Sequence, residues 1–145
     1  MPPEGLSIDY AREESLDVDE FIDVLRRSTL AERRPVHDRT IMEQMVRQAD
    51  LLITARCGGL LVGVSRALTD FCFCTYLSCL AVDQKFQRRG IGRELIRRTH
   101  DAAGPHTTLI LIAAPKAMSY YPHIGLQPHP SCWTVPPRTA PSSGT

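Results

Sequence analysis

The chain has 145 residues, 43% of them apolar and 23% charged, which excludes wholesale disorder, collagen and coiled coil and fits one globular domain burying about two thirds of its unfolded surface. Seventeen basic residues against sixteen acidic give a net charge of +1, so the chain as a whole exerts no pull toward nucleic acid or anionic lipid, and any partner is chosen locally. Fifteen of the basic residues are Arg and two are Lys, a bias toward the side chain that forks onto phosphate or carboxylate.

From the N-terminus, MPPEGLSIDYAREE lacks a basic stretch followed by an apolar run, which predicts no export signal. No window reaches the roughly 18 apolar residues that span a bilayer, so no membrane partner is expected. Asp17 to Ser28 places Val18, Phe21, Ile22 and Leu25 on one helical stripe, with Asp17 and Glu20 at capping-box spacing. A second amphipathic helix is predicted from about Asp38 to Ala49, with Thr40 and Glu43 as the cap pair and Ile41, Met42, Met45, Val46 and Ala49 inward. Ala31 to His37, which includes Arg33, Arg34 and Pro35, reads as a polar connection. Leu51 to Cys57 and Leu60 to Leu68 flank Gly58-Gly59, the pattern of an antiparallel hairpin. Phe73 to Val82 reads as a buried strand, Ile91 to Ala103 as a helix ended by Gly104-Pro105, and Thr107 to Ala113 as another buried strand. Strand, helix, strand in that order is a βαβ unit, so the two strands are predicted to run parallel. Pro115 precedes a short helix from Lys116 to about Tyr121, and Pro136 to Thr145 reads as a flexible tail after a domain covering residues 1–135.

Cys57, Cys72, Cys74, Cys79 and Cys132 form an odd set without a CxxC pair, which fits neither a disulfide framework nor a zinc ribbon and points to a reducing, cytoplasmic setting. Cys72 and Cys74 are expected to be buried apolar thiols on one strand face rather than metal ligands. His123 and His129 read as loop or surface residues, and Trp133 as capping the core or bordering a substrate mouth.

The chemistry concentrates in Leu80 to Glu94, LAVDQKFQRRGIGRE, where a strand ends, a Gln/Arg/Gly turn follows and a helix begins. The first amides of a helix lack intrahelical partners, and with the aligned peptide dipoles they attract anions. Gly90 and Gly92 remove side chains where a diphosphate touches backbone. From Lys85 to Arg98 six basic residues face one acidic residue, Glu94. On the turn alone, a solvated helix start with ordinary surface arginines reads about as well. The same helix lacks the interleaved aromatics of a nucleic-acid surface, and no nucleic-acid partner is expected.

LAVDQKFQRRGIG resembles the acyl-CoA-binding signature of the GNAT superfamily of N-acyltransferases, [QR]xxGx[GA], here Gln87, Arg88, Arg89, Gly90, Ile91 and Gly92. Downstream, AMSYYPHIGL from Ala117 to Leu126 is similar to the family's second half-motif, AxxFYxxxGF. Together the resemblance spans the chain from a first strand near Leu6 through Val135, with the two early helices and three strands before the signature that the family's element order implies. It implies an α/β fold of the GNAT kind: a mixed, mostly antiparallel central sheet with a parallel, splayed strand pair, flanked by helices. It also implies acetyl transfer from acetyl-CoA to a primary amine of a small molecule or a protein, by direct attack in a ternary complex and without a metal. Backbone amides of Gln87 to Gly92, helped by Arg88, Arg89 and Arg93, would hold the diphosphate. Backbone around Leu80, Ala81 and Val82 would pair with the pantetheine arm like an added strand. An amide near Leu80 would polarise the thioester carbonyl, and Tyr121, in the family's acid position, would protonate the leaving thiolate, with Tyr120 as its neighbour and fallback.

Tyr76 and Ser78 occupy the substrate-side positions where family bases sit, and neither is a good base near neutral pH. A water chain, or an amine entering in its neutral form, supplies the alternative. Cys79 stands where many relatives carry an acidic residue, and as an acyl-carrying nucleophile it lacks visible His or carboxylate partners. The competing reading of the whole is a non-catalytic acyl-CoA sensor or interaction module. Dimers are frequent in the family, and an exposed strand edge near the C-terminus would offer the route to a homodimer.

Overall fold

A computed structural model describes residues 7–139. The chain forms two compact units, the first ending at Leu111 and the second beginning at Ile112. In chain order the elements are β1 (Asp9–Arg12), α1 (Val18–Ser28), α2 (Arg39–Arg47), β2 (Leu51–Cys57), β3 (Leu60–Thr69), β4 (Cys74–Val82), α3 (Ile91–Ala103), β5 (Thr108–Ile110) and α4 (Tyr120–His123), with 3-10 turns at Leu30–Arg33, Gln84–Phe86 and Pro115–Ala117. The expected first strand near Leu6 is seen at Asp9–Arg12, while Leu6 itself lies outside the described residues. So do residues 140–145 of the expected tail.

Local chemistry sets most of these boundaries. The Asp17 carboxylate accepts from the Glu20 amide at 3.2 Å and opens α1, and Thr29, at φ 74°, closes it. In α2 the sequence expectation is off by two residues: Asp38, not Thr40, is the cap, accepting from the Ile41 amide at 3.2 Å. A carboxylate placed one residue before the helix reaches the orphan amides, whereas Thr40 is already inside the first turn. Gly58 and Gly59, at φ 56° and 86°, make the tight turn between β2 and β3, which side chains with a Cβ adopt only at a cost.

The first unit is a sheet in the order β1-β2-β3-β4-β5, antiparallel throughout except for the parallel β4–β5 pair. One face is covered by α1 and α2, whose Phe21, Val24, Leu25 and Met42 pack with Leu52, Val64, Cys79 and Ala81. The other is covered by α3, whose Ile91 and Leu95 pack with Ile53, Val62, Leu80 and Val82. Each fully buried Leu or Phe is worth about 1.5 to 3 kcal/mol of transfer free energy, so alternate β4 residues anchor opposite faces. Between sheet and α3, the buried hydroxyls of Ser65 and Thr99 are hydrogen-bonded at 2.7 Å.

Further expectations need correction. The strand foreseen over 107–113 pairs only over Thr108–Ile110, because β5 parts from β4 after the Tyr76–Ile110 pair. The helix foreseen from Lys116 to Tyr121 is instead the turn Pro115–Ala117 followed by α4. Cys72 and Cys74 are exposed rather than buried, since the Asp70 carboxylate gathers the amides of Cys72, Phe73 and Cys74 and forms a loop ahead of the strand. Those three amide hydrogen bonds hold the Asp70 pKa well below the usual carboxylate value. In the second unit Trp133 is 87% exposed. No helix among the described residues is long and apolar enough to cross a membrane.

Candidate active site

At the C-terminal end of β4, Asp83 fixes the chain's exit. It is buried, its Oδ1 accepts from the Lys85 amide at 2.9 Å, and its Oδ2 accepts from Arg27 Nη1 at 2.5 Å. Arg27 also donates to the Leu61 carbonyl at 2.6 Å, tying α1, β3 and the turn together. Buried Phe86 seats the turn in the α3-side core. From there Gln87, Arg88, Arg89 and Gly90 run exposed over the start of α3. Arg88 and Gly90 adopt left-handed conformations at φ 65° and 80°, the kind of reversal that in an anion-binding nest turns successive amides to one side. A Cβ built on Gly90 meets nothing within 4 Å, so the space beside it is open. The amides of Ile91, Gly92 and Arg93 bond to no backbone carbonyl among the described residues. The positive end of the 13-residue α3 dipole points through them. All six signature positions therefore converge on one turn.

Along β4 the two edges differ. β5 leaves after Tyr76, so from Leu77 to Val82 the outer edge has no strand partner among the described residues. The Asp83 amide donates to the Val62 carbonyl on β3. Backbone direction alternates along a strand, so Ala81 also faces β3, whereas Leu80 and Val82 face the open edge. Of the three expected pairing residues, two thus present their amides outward. The Gln87 side chain donates to the Val82 carbonyl at 3.0 Å, a contact the sequence alone gave no sign of. It leaves the Leu80 amide and carbonyl and the Val82 amide as the outward-directed groups.

A β-bulge interrupts β4 where the register jumps from Arg66–Cys79 to Ala67–Leu77, leaving Ser78 without a ladder partner. Its carbonyl accepts instead from Arg34 Nη2 at 2.6 Å, and Arg34 Nε lies 3.2 Å from Cys79 Sγ. Ser78 is half-buried, Cys79 fully buried and Tyr76 39% exposed. Arg34, from the connection read only as polar, and Arg66, buried in β3, were not singled out by sequence reasoning. No motif spacing links them to β4, so only the folded sheet brings them there.

Tyr121 lies on α4 in the second unit, where its ring meets that of Tyr120 edge-on with centroids 5.3 Å apart. Burial, with a smaller contribution from Tyr120, raises its pKa above the ordinary phenol value, so the hydroxyl holds its proton at neutral pH. Gly125, at φ 98°, ends α4 with its amide on the Pro122 carbonyl and the Leu126 amide on the Tyr121 carbonyl; this is the turn that the glycine of the half-motif serves. His123 and His129 are exposed. Among the described residues there is no group of three or more His, Cys, Asp or Glu able to hold a metal ion.

The family model described as an acetyltransferase (GNAT) domain matches residues 12–131. The chain belongs to the GNAT acetyltransferase family. Solved structures share its fold. A GNAT-family acetyltransferase from Streptococcus pneumoniae TIGR4 superposes with a TM-score of 0.70 at 17% identity, covering 90% of this chain and 100% of that one. An aminoglycoside N-acetyltransferase in complex with CoA gives 0.68 at 17% identity, covering 96% and 100%. A ribosomal-protein-alanine N-acetyltransferase from Brucella melitensis biovar Abortus 2308 gives 0.66 at 21% identity, covering 89% and 98%. No curated protein matches the sequence. The last two neighbours are named for unlike acceptors, so the shared fold leaves the acceptor open.

Proposed function

We propose that this GNAT acetyltransferase is an acetyl-CoA-dependent N-acetyltransferase acting on a primary amine, through direct attack in a ternary complex. The observation that carries the reading is continuous: the open edge of β4 leads straight into the glycine-bearing turn whose amides await an anion. A diphosphate fits the turn, and a pantetheine arm fits the edge as a short added strand through Leu80 and Val82. Arg88, Arg89 and Arg93 add positive charge around the phosphates.

In the proposed reaction the neutral amine nitrogen attacks the thioester carbonyl carbon, forming the C–N bond, while the Leu80 amide donates to the developing oxyanion. The C–S bond then breaks, and the thiolate takes a proton from a phenol, assigned to Tyr121 on its match to the family motif and with a raised pKa that keeps it protonated. Once the C–N bond has formed, the amine's surplus proton leaves to water. No metal enters the scheme.

Two measurements test it. Acetyl-CoA is expected to raise the melting temperature and to give a saturable calorimetric heat; absence of both removes the reading. With acetyl-CoA and a panel of amino acids, arylalkylamines, polyamines and peptides, free CoA thiol is expected with at least one acceptor. Coenzyme binding without thiol release from any of them identifies a sensor instead.

A further inference from the structure

We infer that the α1–α2 face of the bulge in β4 is an anion subsite, and that the acceptor is an amine carrying a carboxylate, with an apolar body beside it. This rests on the N-acetyltransferase reading and names the acceptor class for that same site.

The inference comes from how the arginines are partnered. Arg27, Arg39, Arg56, Arg97 and Arg98 each hold a carboxylate. Arg34 and Arg66 hold none among the described residues, although Arg34 is half-buried and Arg66 only 7% exposed. Their partners are neutral: Arg66 Nε donates to the Met45 carbonyl at 2.7 Å, and Arg34 donates to the carbonyls of Arg33 and Ser78 and to Cys79 Sγ. The Nη groups of Arg66 have no hydrogen bond to the described residues, and none of its side-chain nitrogens is both sealed from solvent and unpartnered. Each of these unpartnered Nη atoms therefore keeps some access to solvent. A guanidinium taken this far out of water without a counter-charge is costly, and a planar anion is its natural complement.

Both arginines converge on the same residue. Arg66 is the ladder partner of Cys79, so their side chains share a face, and Arg34 touches the Cys79 sulfur. Nε and Nη2 form one edge of the Arg34 fork, and that edge is used on β4; N–H groups on the Nη edge remain available. The coenzyme turn begins three residues beyond Cys79, after Val82, roughly 10 Å along the strand, so the anion held here is not the diphosphate. It belongs to whatever approaches the point where β4 and β5 part. Two positions from Arg66 on the same face are Leu68 and its partner Tyr76, 37% and 39% exposed, an apolar step beside the positive one. An amine with an adjacent carboxylate and an apolar side chain matches both features, whereas a polycation matches neither.

The experiment compares matched acceptors that differ only by the carboxylate, L-phenylalanine against 2-phenylethylamine and L-leucine against 3-methylbutylamine, with spermidine as the polycation, by thiol release at saturating acetyl-CoA. The expected result is kcat/KM at least roughly tenfold higher for the carboxylate member of a pair, as one charge-assisted contact provides. In Arg34→Gln and Arg66→Met that ratio is expected to fall toward one through a raised KM for the amino acid. Should neither variant fold, 3-phenylpropionate, a carboxylate without an amine, is expected to inhibit the wild-type protein competitively against L-phenylalanine. A wild-type ratio near one, a preference for spermidine, or an unchanged ratio in both folded variants overturns the subsite while leaving the transferase reading in place. Thiol release from no acceptor overturns the subsite as well, and calorimetry with acetyl-CoA then shows whether coenzyme binding survives.

Discussion

On the proposed reading, the two ends of β4 carry different kinds of recognition. At its C-terminal end, after Val82, contacts are to be made by backbone: amides of a turn, bent by the left-handed Arg88 and Gly90 and placed over the start of α3. At the bulge the proposed contacts come from side chains contributed by distant parts of the chain, Arg34 from the α1–α2 connection, which touches Cys79, and Arg66 from β3, which lies opposite Cys79 in the ladder. A ligand gripped by backbone needs a short stretch of chain with permissive residues. A ligand gripped by side chains needs the sheet and helices assembled first. The end proposed to face the coenzyme is therefore a local property, and the end proposed to face the acceptor a tertiary one.

Perturbations rank along that contrast. The largest effect is expected from Gly90→Val. The added side chain meets no protein atom but enters the open space of the turn, at a φ of 80° that β-branched residues resist. Calorimetry is expected to show acetyl-CoA affinity reduced beyond about 100-fold, equivalent to about 2.7 kcal/mol, with the fold retained; unchanged affinity would place the diphosphate elsewhere.

Tyr121→Phe is expected to leave coenzyme affinity in place and to lower kcat by roughly 100-fold, the scale of one general acid. The high-pH limb of the kcat profile is expected to disappear with it, because a raised phenol pKa in the wild type puts that limb above the ordinary value. A wild-type rate in the variant moves the acid to another group, Tyr120 first.

Asp83→Ala removes the anchor of the turn at the C-terminal end, leaving partly buried Arg27 with Asp23 and the Leu61 carbonyl. A loss of about 2 kcal/mol is expected, seen as a melting temperature lower by about 5 °C, together with weaker coenzyme binding. Loss of stability with undiminished coenzyme affinity would mean that the turn holds its shape without the ion pair.

The smallest effect belongs to Glu94, whose pKa is pushed down to about 2 by hydrogen bonds from Arg97 and Arg98. A depressed carboxylate contributes stability above its unfolded pKa and loses it as pH falls through the folded value. Glu94→Gln is thus expected to cost a few tenths of a kcal/mol at pH 7, as for a solvent-screened pair. The difference from wild type is expected to vanish in urea titrations as the pH is lowered from about 5 toward 2. A constant difference across that range would mean packing rather than charge.

The sequence by itself determined the elements whose signals are local. Asp17 caps α1, paired glycines turn β2 into β3, Gly104 closes α3, and Gly90 and Gly92 mark the turn, because a cap, a positive φ or an apolar stripe is decided within a few residues of chain. The family followed from the same two motifs. Where neighbours in space decide, the sequence ran short: Asp38 displaced Thr40 as the α2 cap, β5 parted from β4 after three paired residues, and the thiols of Cys72 and Cys74 faced outward around Asp70. Folding alone put Ser78 in a bulge, brought Arg34 onto the Cys79 sulfur and set Arg66 opposite Cys79 in the ladder, neither arginine holding a carboxylate among the described residues. Residues separated by 13 to 45 positions become neighbours through sheet register and helix docking, and no short-range pattern encodes such a meeting.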